Sequence, residues 1–299
     1  MSELRHDPLS GHDVIVAAGR AARPTSFAPA SHDAAGAQGC PFCPGHEAET
    51  PPEVARIGPG APGTPGWRVR AFPNLYPIVD THEVVVLSPD HQRSFAGLDD
   101  NEAVEVVTML RDRVHAHLQG GHVYSVAILN HLRGAGASIA HSHAQVFALD
   151  TVPVAVGEAL TRVRAAGTDL VARDAANADL VVARDGGIVL WCPYAATAPY
   201  QLRLAHDRAG ARFDEAADAV LADVAVALRD ALTRLRAVLG DAPYNVIVPT
   251  APRGDAPFHW YVEIVPRLTV VAGFEQATGI LVNTVPPDIS AHELREAAP

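Results

Sequence analysis

Two histidines and a glutamine at alternate positions, His141, His143 and Gln145, are the residues of this sequence whose types and spacing best suit chemistry. They follow a segment of mainly Gly and Ala at positions 134–140. Backbone amides of such a segment can approach an anion closely and bind it without charged side chains. A neutral imidazole is a good nucleophile at pH 7 and forms a reactive phosphoramidate when it attacks phosphorus. The pattern therefore indicates transfer of a phosphoryl group through a histidine.

The positions that follow predict a strand that would hold these side chains. Apolar residues at 146–149 favour a strand over 140–149, and alternate side chains of a strand share one face. Both imidazoles and the Gln145 amide, which can donate hydrogen bonds to phosphoryl oxygens, would then line one pocket. Ordinary polar residues on a half-exposed strand are the alternative, and the Gly-rich segment and a cysteine pair favour chemistry.

Cys40 and Cys43 form that cysteine pair, with Cys-x-x-Cys spacing. In a reducing compartment such a pair usually binds zinc, and a redox function is the lesser alternative. Two thiolates leave two positions of a tetrahedral site to be filled. Histidine, which occurs 15 times, is the obvious source of both.

The absence of lysine limits how this chain can bind anions. All 23 basic residues are arginines, so a Schiff base is excluded, and cationic contacts must come from Arg, His or a metal ion. Arg20 and Arg23 share one loop and could clamp a phosphate bidentately. A solvated loop is the alternative interpretation of this pair.

The overall composition describes an acidic globular protein. Hydrophobic residues make up 48% of the 299 residues and charged residues 19%, and the length suggests one large or two medium domains. A net charge of −11 argues against nucleic acid or an anionic membrane as a partner. No apolar run approaches the ~18 residues that span a bilayer, and the polar N-terminus is unlike a signal peptide, so we expect a cytoplasmic protein.

Periodicity predicts two halves with similar elements. A strand over 258–267 would place His259, Tyr261 and Glu263 on one face, where the first half carries its His-x-His-x-Gln motif. We interpret this as a weak internal repeat whose second copy has lost the nucleophile. The other predicted strands are 14–18, 68–72, 83–87, 123–130, 188–191, 201–205 and 244–248, and the predicted helices are 101–118, 155–164 and 213–239.

With these residues in view, the sequence resembles the galactose-1-phosphate uridylyltransferase family of the histidine-triad superfamily. The resemblance extends over nearly the whole chain, and its motifs occur in the family's order. They are Arg5…Asp7-Pro8-Leu9, Gly19-Arg20-Ala21-Ala22-Arg23-Pro24, Cys40-Pro41-Phe42-Cys43-Pro44-Gly45, Pro73-Asn74-Leu75-Tyr76-Pro77, Ser88-Pro89-Asp90-His91 and the block 130–145.

The resemblance implies a role for each matching residue. It makes His143 the nucleophile that accepts a nucleoside monophosphate, and Gln145 the residue that stabilises the phosphoryl group. It assigns one structural zinc ion to Cys40, Cys43, His91 and His141. Contacts with the nucleotide, the phosphate or the sugar fall to Arg20, Arg23, Asn74, Asn130, Gly136, Ser138 and Glu275.

The sequence also departs from the best-known members of the family. His-Ser-His replaces their His-Pro-His, and this motif and the segments 258–263 and 277–280 look closer to the branch that contains plant ADP-glucose phosphorylase. Tyr261 and Glu263 stand where the uridylyltransferases have a His pair of a second, iron-type metal site. We therefore expect no second metal site.

These observations predict an α+β fold of two histidine-triad-like halves, residues 1–153 and 154–299, with mostly antiparallel sheets flanked by helices. The resemblance implies a homodimer that moves a nucleoside monophosphate from a nucleoside diphosphate sugar to a phosphate or sugar 1-phosphate, in galactose or related carbohydrate metabolism. One alternative is an ADP-glucose phosphorylase-like enzyme that uses inorganic phosphate. A histidine-triad nucleotide hydrolase and a zinc-stabilised binding protein for nucleotide sugars are the others.

Overall fold

The structure is a computed structural model that describes residues 2–19, 39–254 and 256–297. Arg20 and Arg23, the predicted phosphate clamp, lie outside the described residues. Strands and α-helices are numbered here in chain order. The strands are β1 Glu3–His6, β2 Asp13–Val16, β3 Ala55–Ile57, β4 Val69–Pro73, β5 Thr81–Val86, β6 Tyr124–His131, β7 His143–Leu149, β8 Val181–Asp185, β9 Ile188–Trp191, β10 Leu202–His206, β11 Tyr244–Ile247, β12 Val262–Pro266 and β13 Leu281–Asn283. The helices are α1 Asp100–Gln119, α2 Val154–Ala166, α3 Leu170–Asp174, α4 Asp218–Leu239, α5 Gly273–Thr278 and α6 Pro287–Glu296.

Ten of the strands form one antiparallel sheet in the order β3-β4-β5-β7-β6-β11-β12-β10-β9-β8. The strand order outward from β6 is repeated outward from β11, and α1 and α4 take matching places in the chain. The predicted α+β fold of antiparallel sheets flanked by helices is confirmed. The predicted division between residues 153 and 154 lies between β7 and α2 and stays a prediction. A smaller sheet contains β1, β2 and β13.

The main core lies between one face of the large sheet and the two long helices, α1 and α4. Ala144 and Val146 of β7 are buried in this core. Because strand side chains alternate, His143 and Gln145 point to the opposite face. Burying a side chain such as Val146 contributes about 1.5–3 kcal/mol, so a shift of one residue in the register of β7 would be strongly unfavourable. The buried apolar side chains of β7 therefore fix the face to which His143 and Gln145 point.

Two smaller apolar clusters cover the opposite face of the sheet, one under each half. The cluster of the first half surrounds the cysteine pair and consists of Cys40, Phe42, Cys43, Trp67, Phe72, Val84 and Val86. The cluster of the second half consists of Leu9, Val163, Leu170, Val171, Ala175, Val189, Trp191, Ala205 and Tyr261. His143 therefore lies on a face that is packed with apolar side chains around the site.

Two predicted strands begin later than the sequence indicated. The strand expected from 140 begins at His143, so His141 precedes it, and the His141 ring is instead held by the backbone carbonyl of Ser88. The strand expected from 258 begins at Val262. The N–H of Trp260 donates to the carbonyl of Gly210 in a loop, which takes this segment out of the ladder. Alternation of residue types cannot detect such partners.

The helix predicted over 213–239 is divided. Residues Phe213–Glu215 form a short 3-10 turn, and α4 starts only at Asp218. Ala217 between them is extended, with φ −66° and ψ 146°, and the N–H of Phe213 donates to Oγ1 of Thr250. Within the described residues, no helix is both long enough and apolar enough to cross a membrane.

Candidate active site and metal centre

Four side chains from three segments of the chain meet at the cysteine pair. The Sγ atoms of Cys40 and Cys43 and ring nitrogens of His91 and His141 lie within 4.8 Å of one another. Nδ1 of His141 is 3.7 Å from Sγ of Cys40 and 3.6 Å from Sγ of Cys43, and Nδ1 of His91 is 3.4 Å from Sγ of Cys43. Sulfur and nitrogen ligands of a tetrahedral zinc ion, bonded at about 2.3 and 2.05 Å, lie about 3.6 Å apart. The four residues can therefore hold a metal ion, and their spacing suits zinc.

The protonation of these groups also suits a cation. Nε2 of His141 donates to the carbonyl of Ser88 at 2.8 Å, so the lone pair lies on Nδ1, which faces the thiols. Burial lowers the pKa of His141 to about 4, which keeps the ring neutral. Burial, with the neighbouring Cys40 adding to it, raises the pKa of the Cys43 thiol to about 11. A divalent cation reverses this last effect by displacing the thiol protons.

His143 is the imidazole next to this centre, and its protonation is fixed by the backbone. The side chain is 7% exposed and packs edge-on against Phe42, with ring centroids 5.2 Å apart. Nδ1 lies 2.9 Å from the carbonyl oxygen of His141, so Nδ1 donates and the lone pair lies on Nε2. Burial lowers the pKa of His143, so the ring is neutral at pH 7. A neutral ring with a free Nε2 lone pair is what a nucleophilic histidine requires.

Gln145 follows on the same face of β7 and is held from β5. Its Oε1 lies 2.8 Å from Nε2 of His82, and within the described chain no hydrogen bond occupies its amide nitrogen. Asn74 lies near the same ring nitrogen, with its Nδ2 3.1 Å from Nε2 of His82. Oδ1 of Asn74 accepts a hydrogen bond from the N–H of Tyr76. His82 thus brings two of the predicted site residues together.

The turn between β6 and β7 has an unusual backbone that the second half of the chain supports. Leu132 has φ 64° and ψ 161°, a conformation that costs about 1–3 kcal/mol for a residue with a side chain. Gly136 has φ 94°, which only glycine adopts easily. Asn245 of β11 donates to Oδ1 of Asn130 at 2.7 Å and to the carbonyl of Ala135 at 2.8 Å. These bonds fix the Asn130 amide so that its Nδ2 points away from Asn245.

Two predicted substrate contacts lie elsewhere. Ser138 is exposed in the segment that leads to β7. Glu275 lies on α5, where its carboxylate accepts a hydrogen bond from the N–H of Ala272. No hydrogen bond within the described residues joins either side chain to His143 or Gln145. Their roles stay predictions.

The second half has an ion-paired network at the place that matches this site. Glu263 of β12, which matches Gln145, lies opposite Arg203 of β10. The buried guanidinium of Arg203 is 3.0 Å from Glu263, 2.5 Å from Asp7 and 2.9 Å from Asp174. Among the described residues, the four at the cysteine pair are the one group spaced to hold a metal ion. The expected absence of a second metal site stays a prediction.

His82 and Asn245 were not identified from the sequence. Each is a polar residue in a segment that otherwise has the pattern of an apolar strand, and His82 alternates in phase with Val84 and Val86. A polar residue on a buried face is the signal that could have identified both. Their partners are contributed by other strands, so the sequence alone could not have shown what they orient.

Comparison with known proteins identifies two relatives that match nearly the whole chain. No family model matches the chain. It is 29% identical to ADP-glucose phosphorylase of Arabidopsis thaliana, over 99% of this chain and 93% of that protein. It is 24% identical to the galactose-1-phosphate uridylyltransferase of Thermotoga maritima, over 99% of this chain and 98% of that protein.

Solved structures agree with this relationship. The crystal structure of the A. thaliana ADP-glucose phosphorylase with bound ADP-glucose has a TM-score of 0.89 and 29% identity, covering 99% of this chain and 98% of that one. A uridylyltransferase structure has a TM-score of 0.77 and 22% identity, covering 99% and 98%, and shows the shared fold. The similarity covers 99% of the chain in each of these comparisons. The chain is therefore a nucleotidyltransferase that resembles the galactose-1-phosphate uridylyltransferase family and, within it, the His-Ser-His branch that contains ADP-glucose phosphorylase.

Proposed function

We propose that this enzyme is a nucleoside diphosphate sugar phosphorylase, which transfers a nucleoside monophosphate from the sugar nucleotide to inorganic phosphate. The observation that carries nucleotidyl transfer is the buried, neutral His143, whose Nδ1 donates to a carbonyl and whose Nε2 makes no hydrogen bond within the described part of the chain. Greater similarity to ADP-glucose phosphorylase than to the uridylyltransferase supports phosphate as the acceptor. We therefore favour inorganic phosphate over a sugar 1-phosphate as the acceptor. The donor that we propose is ADP-glucose.

The reaction follows two displacements at the α-phosphorus. In the first, Nε2 of His143 attacks, a P–N bond forms, and the bond to the β-phosphate oxygen breaks so that the sugar 1-phosphate leaves. In the second, an oxygen of inorganic phosphate attacks, the P–N bond breaks, and a nucleoside diphosphate is released. Positioning supplies most of the catalysis in such transfers. Gln145 donates to the phosphoryl oxygens, and Asn74, Asn130, Gly136, Ser138, Glu275, Arg20 and Arg23 bind the nucleotide, the phosphates or the sugar.

We propose that the four residues at the cysteine pair bind one structural zinc ion. Four protein ligands leave no position for a reacting water molecule, so the ion would stabilise the fold around the nucleophile. The His141 carbonyl that accepts from Nδ1 of His143 belongs to one of these ligands, which links the metal centre to the nucleophile's tautomer. A homodimer, a cytoplasmic location and a role in galactose or related metabolism stay predictions.

A donor and acceptor panel tests this function. ADP-glucose and UDP-glucose are each supplied with inorganic phosphate, with a hexose 1-phosphate or with neither. With inorganic phosphate as the acceptor, we expect the wild-type protein to convert ADP-glucose to glucose 1-phosphate and ADP. We expect the His143→Gly variant to release neither product. Turnover only with hexose 1-phosphate would identify a uridylyltransferase. Release of AMP without any acceptor would identify a hydrolase, and binding without a covalent adduct on His143 would identify a binding protein.

A further inference from the structure

His82 is a buried histidine at the site that the reaction above does not use. Its side chain is 4% exposed, and its ring stacks on Phe147 of the neighbouring strand with centroids 4.1 Å apart. Nε2 lies 2.8 Å from Oε1 of Gln145. His82 and Phe147 are paired residues in the ladder between β5 and β7, so the contact with Gln145 runs diagonally across that ladder.

The tautomer of His82 decides which end of the Gln145 amide faces the substrate. The N–H of Ile78 points at Nδ1 at 3.4 Å, so Nδ1 is the acceptor and the proton of the neutral ring lies on Nε2, where the shortest contact is the Gln145 oxygen at 2.8 Å. The NH2 group of Asn74, 3.1 Å from the same Nε2, donates no hydrogen bond to it in this tautomer. Nε2 then donates to Oε1 of Gln145, and the Gln145 NH2 group is left for the phosphoryl oxygens. With the other tautomer the amide would turn its carbonyl oxygen towards the anion, which repels it. Burial lowers the pKa of His82, so the ring stays neutral at pH 7.

The second half contains the same contact made with a glutamine. Nε2 of Gln201, just before β10, donates to Oε1 of Glu263 on β12 at 2.9 Å. Because Glu263 matches Gln145 in the repeated strand order, Gln201 matches His82. A glutamine at the position of His82 could therefore donate across the ladder in the same way. His82→Gln is consequently the conservative substitution at this position.

We propose that His82 is a positioning residue that holds the Gln145 amide with its NH2 group towards the transferring phosphoryl group. This inference rests on the proposed nucleotidyl transfer. His82 does not contact the reacting atoms in this role. It acts through Gln145, so its loss lowers the rate of nucleotidyl transfer and leaves donor binding largely unchanged.

The test compares three variants and one control. His82→Leu removes the donor, His82→Gln keeps one, and His82→Leu combined with Gln145→Ala asks whether the two act together. Gln201→Leu makes the matched change in the second half. Single-turnover formation of nucleotidyl-His143, donor affinity and melting temperature are measured for each. In the wild-type protein, 15N NMR of the imidazole reports the tautomer of His82 without reference to activity.

We expect His82→Leu to slow adduct formation roughly tenfold or more with little change in donor affinity, and His82→Gln to restore most of the rate. In the Gln145→Ala background, His82→Leu should have little further effect, and Gln201→Leu should leave the rate unchanged. Additive losses in the double variant, no rescue by glutamine, or a proton on Nδ1 of His82 would each overturn the proposal. Failure of the wild-type protein to form any adduct would instead refute the proposed function.

Discussion

Glu83 of β5 joins the large sheet to α1, and its replacement by glutamine should weaken the protein at neutral pH but not in acid. Its two carboxylate oxygens each accept a bond from Arg113 at 2.7 Å, and one lies 3.0 Å from Nε2 of His117. Burial alone would raise the pKa of Glu83. These donors outweigh burial and lower the pKa to about 2.

The size of the effect follows from this pKa. A glutamate in the unfolded chain titrates near 4.5, so the folded state binds the proton about 300-fold less tightly, which corresponds to about 3 kcal/mol. The side chain is 8% exposed, so solvent screening reduces this little. A carboxyl whose pKa is lower in the folded state stabilises the fold fully above its unfolded pKa. That contribution is lost as the pH falls from about 4.5 towards 2.

Urea unfolding of the wild-type protein and Glu83→Gln at several values between pH 7 and pH 3 measures this contribution. Metal content is determined at each pH, because acid also releases a metal ion from cysteine and histidine ligands. We expect the difference between the two proteins to be about 2–3 kcal/mol at pH 7 and to shrink steadily below pH 4.5. Glu105→Gln is the control, because Glu105 pairs with the half-exposed Arg68 and should change stability by less than about 1 kcal/mol. A difference for Glu83→Gln that stays constant down to pH 3 would refute the reasoning.

Further substitutions test the metal centre, the turn between β6 and β7, and the predicted phosphate clamp. His141→Gly should lower the zinc content and the melting temperature, whereas His143→Gly should keep both and abolish exchange between donor and sugar 1-phosphate; the opposite pattern in a zinc assay would mean that the two roles are reversed. Asn245→Ala removes the hydrogen bonds that orient Asn130 and should therefore raise KM for the donor about 5- to 20-fold, the effect of losing roughly one to two hydrogen bonds. An unchanged KM would contradict this. Arg20→Ala or Arg23→Ala should lower kcat/KM by a factor that corresponds to a loss of about 1.5–3 kcal/mol in transition-state stabilisation. Unaltered kinetics in both variants would mean that the two arginines belong to a solvated loop.

Elements with their own local signals could be predicted from the sequence. The predicted helix over 101–118 differs from α1 by one residue at each end, because α1 is bounded by a capping box between Asp99 and Glu102 and by Gly120. The strand Ile188–Trp191 was predicted with its observed bounds. In both cases the residues that decide the structure lie within the element itself.

Contacts between distant segments could not be predicted in this way. The Cys-x-x-Cys spacing indicated a metal site, but only the resemblance supplied His91 and His141, because their approach depends on how β5 and β7 pair. The late start of β7 depends on a carbonyl 53 residues away from the His141 ring in sequence. Residue types show which groups can do chemistry, whereas the ladder register shows which of them meet.

The two halves show why the same strand arrangement performs chemistry once. Tyr261 stands two residues before Glu263, as His143 stands two before Gln145, and burial raises the pKa of its hydroxyl so that it carries no nucleophilic charge at pH 7. Beside it, Arg203 is surrounded by three carboxylates, and removal of any one would leave a buried charge without a full set of partners.

In the first half the residue opposite Gln145 is Val84, which brings no charge. The site there consequently has neutral imidazoles and an amide, and within the described residues Nε2 of His143 and the NH2 group of Gln145 make no hydrogen bond to the protein. At the corresponding place in the second half, all three guanidinium nitrogens of Arg203 form ion pairs with carboxylates of the protein. We therefore expect substitutions in the Arg203 network to act on stability, and substitutions around Gln145 to act on turnover.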